Sequence, residues 1–239
     1  MITGFREPRY TAVHPSRFPA GADPLGTTLA YVTDSARREV VTVDVAQGRI
    51  LWRTAVPGPA RHIGVGPGGE KLWTALGGKA ERVAVLDLED PRRPRLVRTF
   101  APPFLAHDLV VSRLKGERAH LWITSGVERR ISIYELDGRR PLAVLPADAP
   151  PQHVAFRAGA AFVASGADGM MRTLSHRTGA LLNESRVPDG SYNVTLGWSG
   201  IVTPSLERGT LAMIAPDGEV RHVRRVARAA HDACLVVSA

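Results

Sequence analysis

The chain has 239 residues, 44% of them hydrophobic and 23% charged, with a formal net charge of +8. That length buries a sizeable core and fits one all-β domain, so the chain reads as a single domain over 1–239. One cysteine, Cys234, excludes an intrachain disulfide and a cysteine-built metal site. No run approaches the roughly 18 apolar residues of a membrane helix, the opening Met1–Pro8 lacks the apolar run of a signal peptide, and basic charge spread over turns without an aromatic-interleaved stripe argues against a nucleic-acid partner.

In chain order the first elements are strands at Tyr10–His14, Thr28–Thr33, Glu39–Val45 and Ile50–Val56, with a Pro- and Gly-rich loop after the first and the turn Gln47-Gly48 before the last. Glycine turns between β-branched runs are hairpin signals. The next four are Ile63–Gly66, Lys71–Ala75, Arg82–Leu88 and Arg95–Phe100. A third set follows at Leu109–Ser112, His120–Thr124, Arg130–Leu136 and Pro141–Leu145, with the turn Asp137-Gly138. The fourth set is Val154–Arg157, Ala161–Ser165, Met170–His176 and Leu181–Val187, with the turn Thr178-Gly179. The fifth is Val194–Gly197, Gly200–Thr203, Thr210–Ile214 and Glu219–Val226, with the turn Asp217-Gly218, and a lone strand over His231–Val237 closes the chain.

Each set opens on a related motif. Pro59-Ala-Arg-His-Ile-Gly-Val-Gly-Pro67 is matched by Pro8-Arg-Tyr-Thr-Ala-Val-His-Pro15, and variants recur at Leu105, Pro151, Ser191 and Ala230. The anchor residues Tyr10, His62, His107, His153, Asn193 and His231 are separated by 52, 45, 46, 40 and 38 positions. A self-similar period of about 40–50 residues built from short strands marks a propeller-like array. The expected fold is therefore an all-β propeller of four-stranded antiparallel blades. It has five complete repeats and one extra C-terminal inner strand, which makes a five-bladed ring or an incomplete six-bladed one. If the last blade is shared between chains, an oligomer follows. Radial repetition is preferred to an irregular sandwich because the turn signal and the opening motif recur in phase.

The motifs Tyr31-Val-Thr-Asp34, Val40-Val-Thr-Val-Asp-Val45 and Ala60-Arg-His-Ile-Gly-Val-Gly-Pro-Gly-Gly69 resemble the bacterial YVTN-type β-propeller repeat family, within the WD40/YVTN-like superfamily. Asp34 stands where that family carries Asn, and Gly66-Pro-Gly-Gly69 replaces its usual Pro-Asp-Gly turn. The resemblance implies fold far more than activity. It also implies an exported or surface-associated protein, and related groups include lactonases and an antibiotic-inactivating lyase, none of whose catalytic motifs transfers to this chain.

In a propeller the opening strand of each blade lines the central axis, so Tyr10, His62, His107, His153, Asn193 and His231 are expected at one mouth of the channel as ligand-binding residues. Four imidazoles, His62, His107, His153 and His231, at equivalent positions provide a candidate site for a divalent metal ion or an anion. The competing reading is that they bond loop backbone and serve structure alone. Asp108 and Asp232 directly follow two of them, and alternation along a strand turns such carboxylates away from the imidazole, towards an adjacent blade or loop backbone. If the strand begins only after Asp, a His–Asp orienting pair results instead. Trp73 and Trp122 fall where other repeats have Tyr31 and Phe162, a packing position. The leading expectation is a protein that binds a small molecule or protein partner at the His-lined mouth. The alternative is a metal-dependent lyase or hydrolase using the same cluster. No serine sits in a nucleophile-elbow context.

Overall fold

The β-branched and apolar runs of the sequence pair into hairpins, and twenty strands result in the computed structural model, which describes residues 2–15, 28–77, 81–112, 116, 118–197 and 200–233. The first sheet holds β1 (Pro8–Val13), β2 (Leu29–Asp34), β3 (Glu39–Asp44) and β4 (Arg49–Ala55) in the order β1-β2-β3-β4. The second repeats that order with β5 (Ala60–Val65), β6 (Lys71–Leu76), β7 (Arg82–Asp87) and β8 (Arg95–Phe100). The third has β9 (Leu109–Val111), β10 (His120–Thr124), β11 (Arg130–Glu135) and β12 (Ala143–Pro146). The fourth has β13 (His153–Arg157), β14 (Ala160–Ala164), β15 (Met170–Ser175) and β16 (Leu181–Arg186). The fifth has β17 (Thr195–Leu196), β18 (Ile201–Pro204), β19 (Thr210–Ile214) and β20 (Val220–Arg225). All five are antiparallel meanders of four, as the repeat phase requires. No described residue is helical, and so no helix among them is long and apolar enough to cross a membrane.

The chain folds as two compact units, one comprising Met1–Val111, Ala119–Ile123 and Tyr134–Leu142 and the other Ser112–Arg118, Thr124–Ile133 and Ala143–Ala239. In the first unit Tyr31, Val40, Val65, Leu72, Ala84 and Leu86 form one apolar cluster, and Trp73, Val83, Val85, Leu109, Leu121 and Tyr134 form a second. In the other unit Phe162, Met171, Val194, Ile201 and Ile214 make the core. Four of the five second strands carry a buried aromatic: Tyr31, Trp73, Trp122 and Phe162 are no more than 1% exposed. Tyr31 satisfies its buried hydroxyl by donating to the Pro91 carbonyl at 2.9 Å.

Inner strands covered on both faces are near-continuous apolar runs, and outer strands alternate. β3, β7, β11 and β15 are buried through their central four residues. β19 breaks the pattern: Met213 is 44% exposed and Leu211 half-buried. Its neighbour β20 is exposed from Arg221 to Arg225.

Three of the four turn glycines that signalled hairpins, Gly48, Gly179 and Gly218, adopt positive φ, the conformation that favours glycine there; Gly138 turns without it. The lone closing strand expected over His231–Val237 falls mainly outside the described residues. Its described start, His231–Ala233, is irregular. Trp198 and Cys234 also lie outside them.

Candidate functional site

The anchors do not simply begin strands. β1 pairs with β2 in a register that shifts between Pro8 and Thr11, and β5 pairs with β6 in a register that shifts between Ala60 and Ile63. The two irregularities are in phase, and they contain Tyr10 and His62 respectively. A bulge adds a residue to one strand and re-aims its side chain. In β1 the bulge is also pinned by Thr33, whose Oγ1 accepts the Tyr10 N–H at 3.0 Å and donates to the Tyr10 carbonyl at 3.3 Å. His107 and Asn193 instead precede their strands, by two residues each, and His153 is the first residue of β13.

In the first unit the structure brings Tyr10, His62 and His107 together. The Tyr10 ring lies 3.8 Å from the His62 ring, centroid to centroid, tilted by 30°. The His107 ring is 4.9 Å from that of His62, tilted by 49°. His62 is 2% exposed, while Tyr10 and His107 are half-buried. His62 and His107 each bring one ring nitrogen to within 4.8 Å of the other's.

Asp108 completes the group. β9 begins at Leu109, so Asp108 lies before the strand. Its Oδ1 stands 3.0 Å from His62 Nδ1 and accepts the Leu109 N–H at 2.8 Å. The carboxylate thus reaches the imidazole of the preceding sheet. Leu109 is buried in the core, which fixes the backbone that carries the carboxylate.

The second unit brings Asn193 and His231 to one carboxylate. Asp232 accepts from Asn193 Nδ2, and its Oδ2 lies 2.6 Å from His231 Nδ1. The Asn193 carbonyl accepts from Thr203 Oγ1 at 2.6 Å, which repeats the link of Thr33 to Tyr10. His231 and Asp232 are both exposed. Here the carboxylate does not turn away from its own imidazole, because no strand alternation operates over these residues. His153 is buried at the head of β13, opposite Ala164. Off the anchor position, His176 is 3% exposed and meets Phe156 edge-on at 5.4 Å.

A sequence signal for these anchor positions is the threonine near the end of second strands. Thr33 and Thr203 recur in phase and hold the backbone of Tyr10 and Asn193.

No family model matches the chain, and no curated protein sequence matches it. Solved structures do. The dihydro-heme d1 dehydrogenase NirN in complex with DHE superposes with a TM-score of 0.64 at 16% identity, covering 82% of this chain and 44% of that one. Hydrazine synthase of Kuenenia stuttgartiensis gives a TM-score of 0.64 at 13% identity, covering 80% of this chain and 61% of that one. The chain therefore spans less than half of the first and about three fifths of the second. Both are β-propeller proteins. With five four-stranded antiparallel meanders, this chain has the β-propeller class of fold.

Proposed function

We propose that this chain is a YVTN-type propeller that binds a small ligand or a protein partner at the face where its opening strands begin, with Tyr10, His62 and His107 as the contact residues. One observation carries the reading: the bulge in β5 sets a buried imidazole against the rings of Tyr10 and His107 and against the Asp108 carboxyl group. A histidine placed for packing alone needs no carboxylate. His153, Asn193 and His231 enter the proposal through their repeat position alone. Inorganic phosphate and Zn2+, titrated separately and followed by imidazole NMR signals, probe both ligand signs. We expect one of them to move the His62 and His107 signals. A His62→Ala/His107→Ala double variant is expected to fold and lose that binding. A double variant that binds as the parent does refutes the assignment.

A second reading is a metal-dependent lyase or hydrolase. It is favoured by the approach of the His62 and His107 ring nitrogens to within 4.8 Å, with the Asp108 carboxylate beside them. In that reading a bound divalent ion polarises a substrate oxygen, and His107 and His231 are candidates for proton transfer. Stoichiometric metal in the purified protein, lost on changing His62 and His107 together, supports it. Protein purified without chelator and free of metal overturns it.

A further inference from the structure

We infer that Asp108 is a positioning residue that fixes the tautomer of His62, so that the site takes a late first-row divalent cation on His62 Nε2 and disfavours anions. This rests on the reading of Tyr10, His62 and His107 as a ligand site.

The argument begins with the hydrogen bond. Asp108 Oδ1 lies 3.0 Å from His62 Nδ1. An ionised carboxylate only accepts, so the proton of the pair sits on Nδ1. In the neutral ring the basic lone pair is then on Nε2, the form in which histidine ligates a metal. The ring is held in this pose from two sides: Tyr10 lies over it at 3.8 Å, and the carboxylate is anchored by the Leu109 N–H at 2.8 Å. A carboxylate behind a ligating imidazole both orients the ring and raises its basicity.

The chemistry of the occupant follows. His107 supplies a second imidazole, with a ring nitrogen within 4.8 Å of one of the two ring nitrogens of His62. Two imidazoles suit zinc, copper, nickel or cobalt, whereas calcium and magnesium prefer oxygen ligands. An anion at His62 must instead approach the charge of Asp108, which is only 13% exposed and therefore weakly screened. The two halves of the His107-Asp108 dipeptide thus take separate tasks, one as donor and one as buttress to a residue 46 positions earlier.

Co2+ is the probe, because its visible spectrum reports nitrogen ligation. The native protein is expected to bind it with a ligand-field band that His62→Ala abolishes. Asp108→Asn and Asp108→Ala are expected to weaken binding by about 10–100-fold with thermal unfolding of the metal-free protein little changed. If both variants fold and bind Co2+ as tightly as the native protein, the role of Asp108 is overturned and the ligand site stands. If the native protein shifts the His62 signals with phosphate but never with Co2+, the cation assignment falls alone. If neither probe binds, the site reading falls with it. A further test needs no variant: nitrogen-15 NMR of the metal-free protein should show His62 protonated on Nδ1 and bare on Nε2, and the opposite tautomer overturns the inference.

Discussion

Changing Asp34 to Asn tests whether the end of β2 is held by charge. The Asp34 side chain is 0% exposed and collects three backbone donors: Arg6 N–H on Oδ2 at 2.8 Å, and Glu7 and Arg37 N–H on Oδ1 at 3.0 and 3.3 Å. Arg37 Nε approaches Oδ2 at 3.7 Å. Burial alone pushes this carboxyl up, but the three N–H groups and the Arg37 guanidinium together outweigh it and hold the group below the usual carboxylate range. Asparagine presents one oxygen and one NH2, so in either orientation at least one backbone N–H faces a donor. A buried donor left unsatisfied costs about 1–3 kcal/mol. At about 2–4 °C per kcal/mol for a chain of this size, Tm falls by roughly 2–12 °C. The pH dependence has a definite sign. Because the folded group titrates below the unfolded one, its stabilisation is present above the unfolded carboxylate pKa of about 4 and is lost as pH falls through the folded value. Thermal unfolding by circular dichroism at pH 7 and in acid measures both. An Asp34→Asn protein that unfolds with the parent at pH 7, or trails it by the same margin in acid, refutes the reasoning.

Trp122→Ala removes a side chain 0% exposed at the centre of β10 and should cost about 3–5 kcal/mol in denaturant unfolding; a loss well under 1 kcal/mol would show that it is not core. Arg172, 8% exposed, sits among Asp168 at 2.6 Å, Glu184 at 3.0 Å and Asp148 at 3.6 Å. Because these partners are partly solvated, Arg172→Ala should cost about 1–3 kcal/mol. Burial tends to raise the Asp168 carboxyl, but hydrogen bonds from Arg172 and Ser165 lower it overall, so the parent loses stability in acid as pH falls through that depressed value; the variant should lose less, and an unchanged acid limb in its unfolding curve refutes the pairing. Gly209 has φ +62°, and a Cβ there would lie 2.1 Å from the Ala227 carbonyl oxygen. Gly209→Ala should cost more stability than the ~1 kcal/mol of a simple glycine effect, and an unchanged Tm refutes the turn geometry.

The five four-stranded units were legible because each hairpin carries its own local signal: a β-branched run, a glycine turn, a second run. The core position of Tyr31, Trp73, Trp122 and Phe162 was legible for the same reason, since four aromatics in phase mark one packing site. The bulges at Tyr10 and His62 were not. A register shift belongs to a pair of strands, and neither strand alone encodes it. The partner of Asp108 was half legible. The strand starts only after Asp108, so alternation does not set its direction, and that it lands on His62 depends on how neighbouring sheets stack. Asp232 lies outside any strand too and pairs with the histidine beside it.

The open side of β19 borders an edge strand, β20, that displays Arg221, Arg224 and Arg225 to solvent. Unpaired backbone groups on an edge invite another strand, and like charges deter an identical one. That deterrence reaches about 8 Å at physiological ionic strength and shrinks as salt rises. Added electrolyte is therefore expected to mute the guanidinium fence and to leave the edge of β20 more open to a second strand. A negatively charged visitor meets the same fence as an invitation.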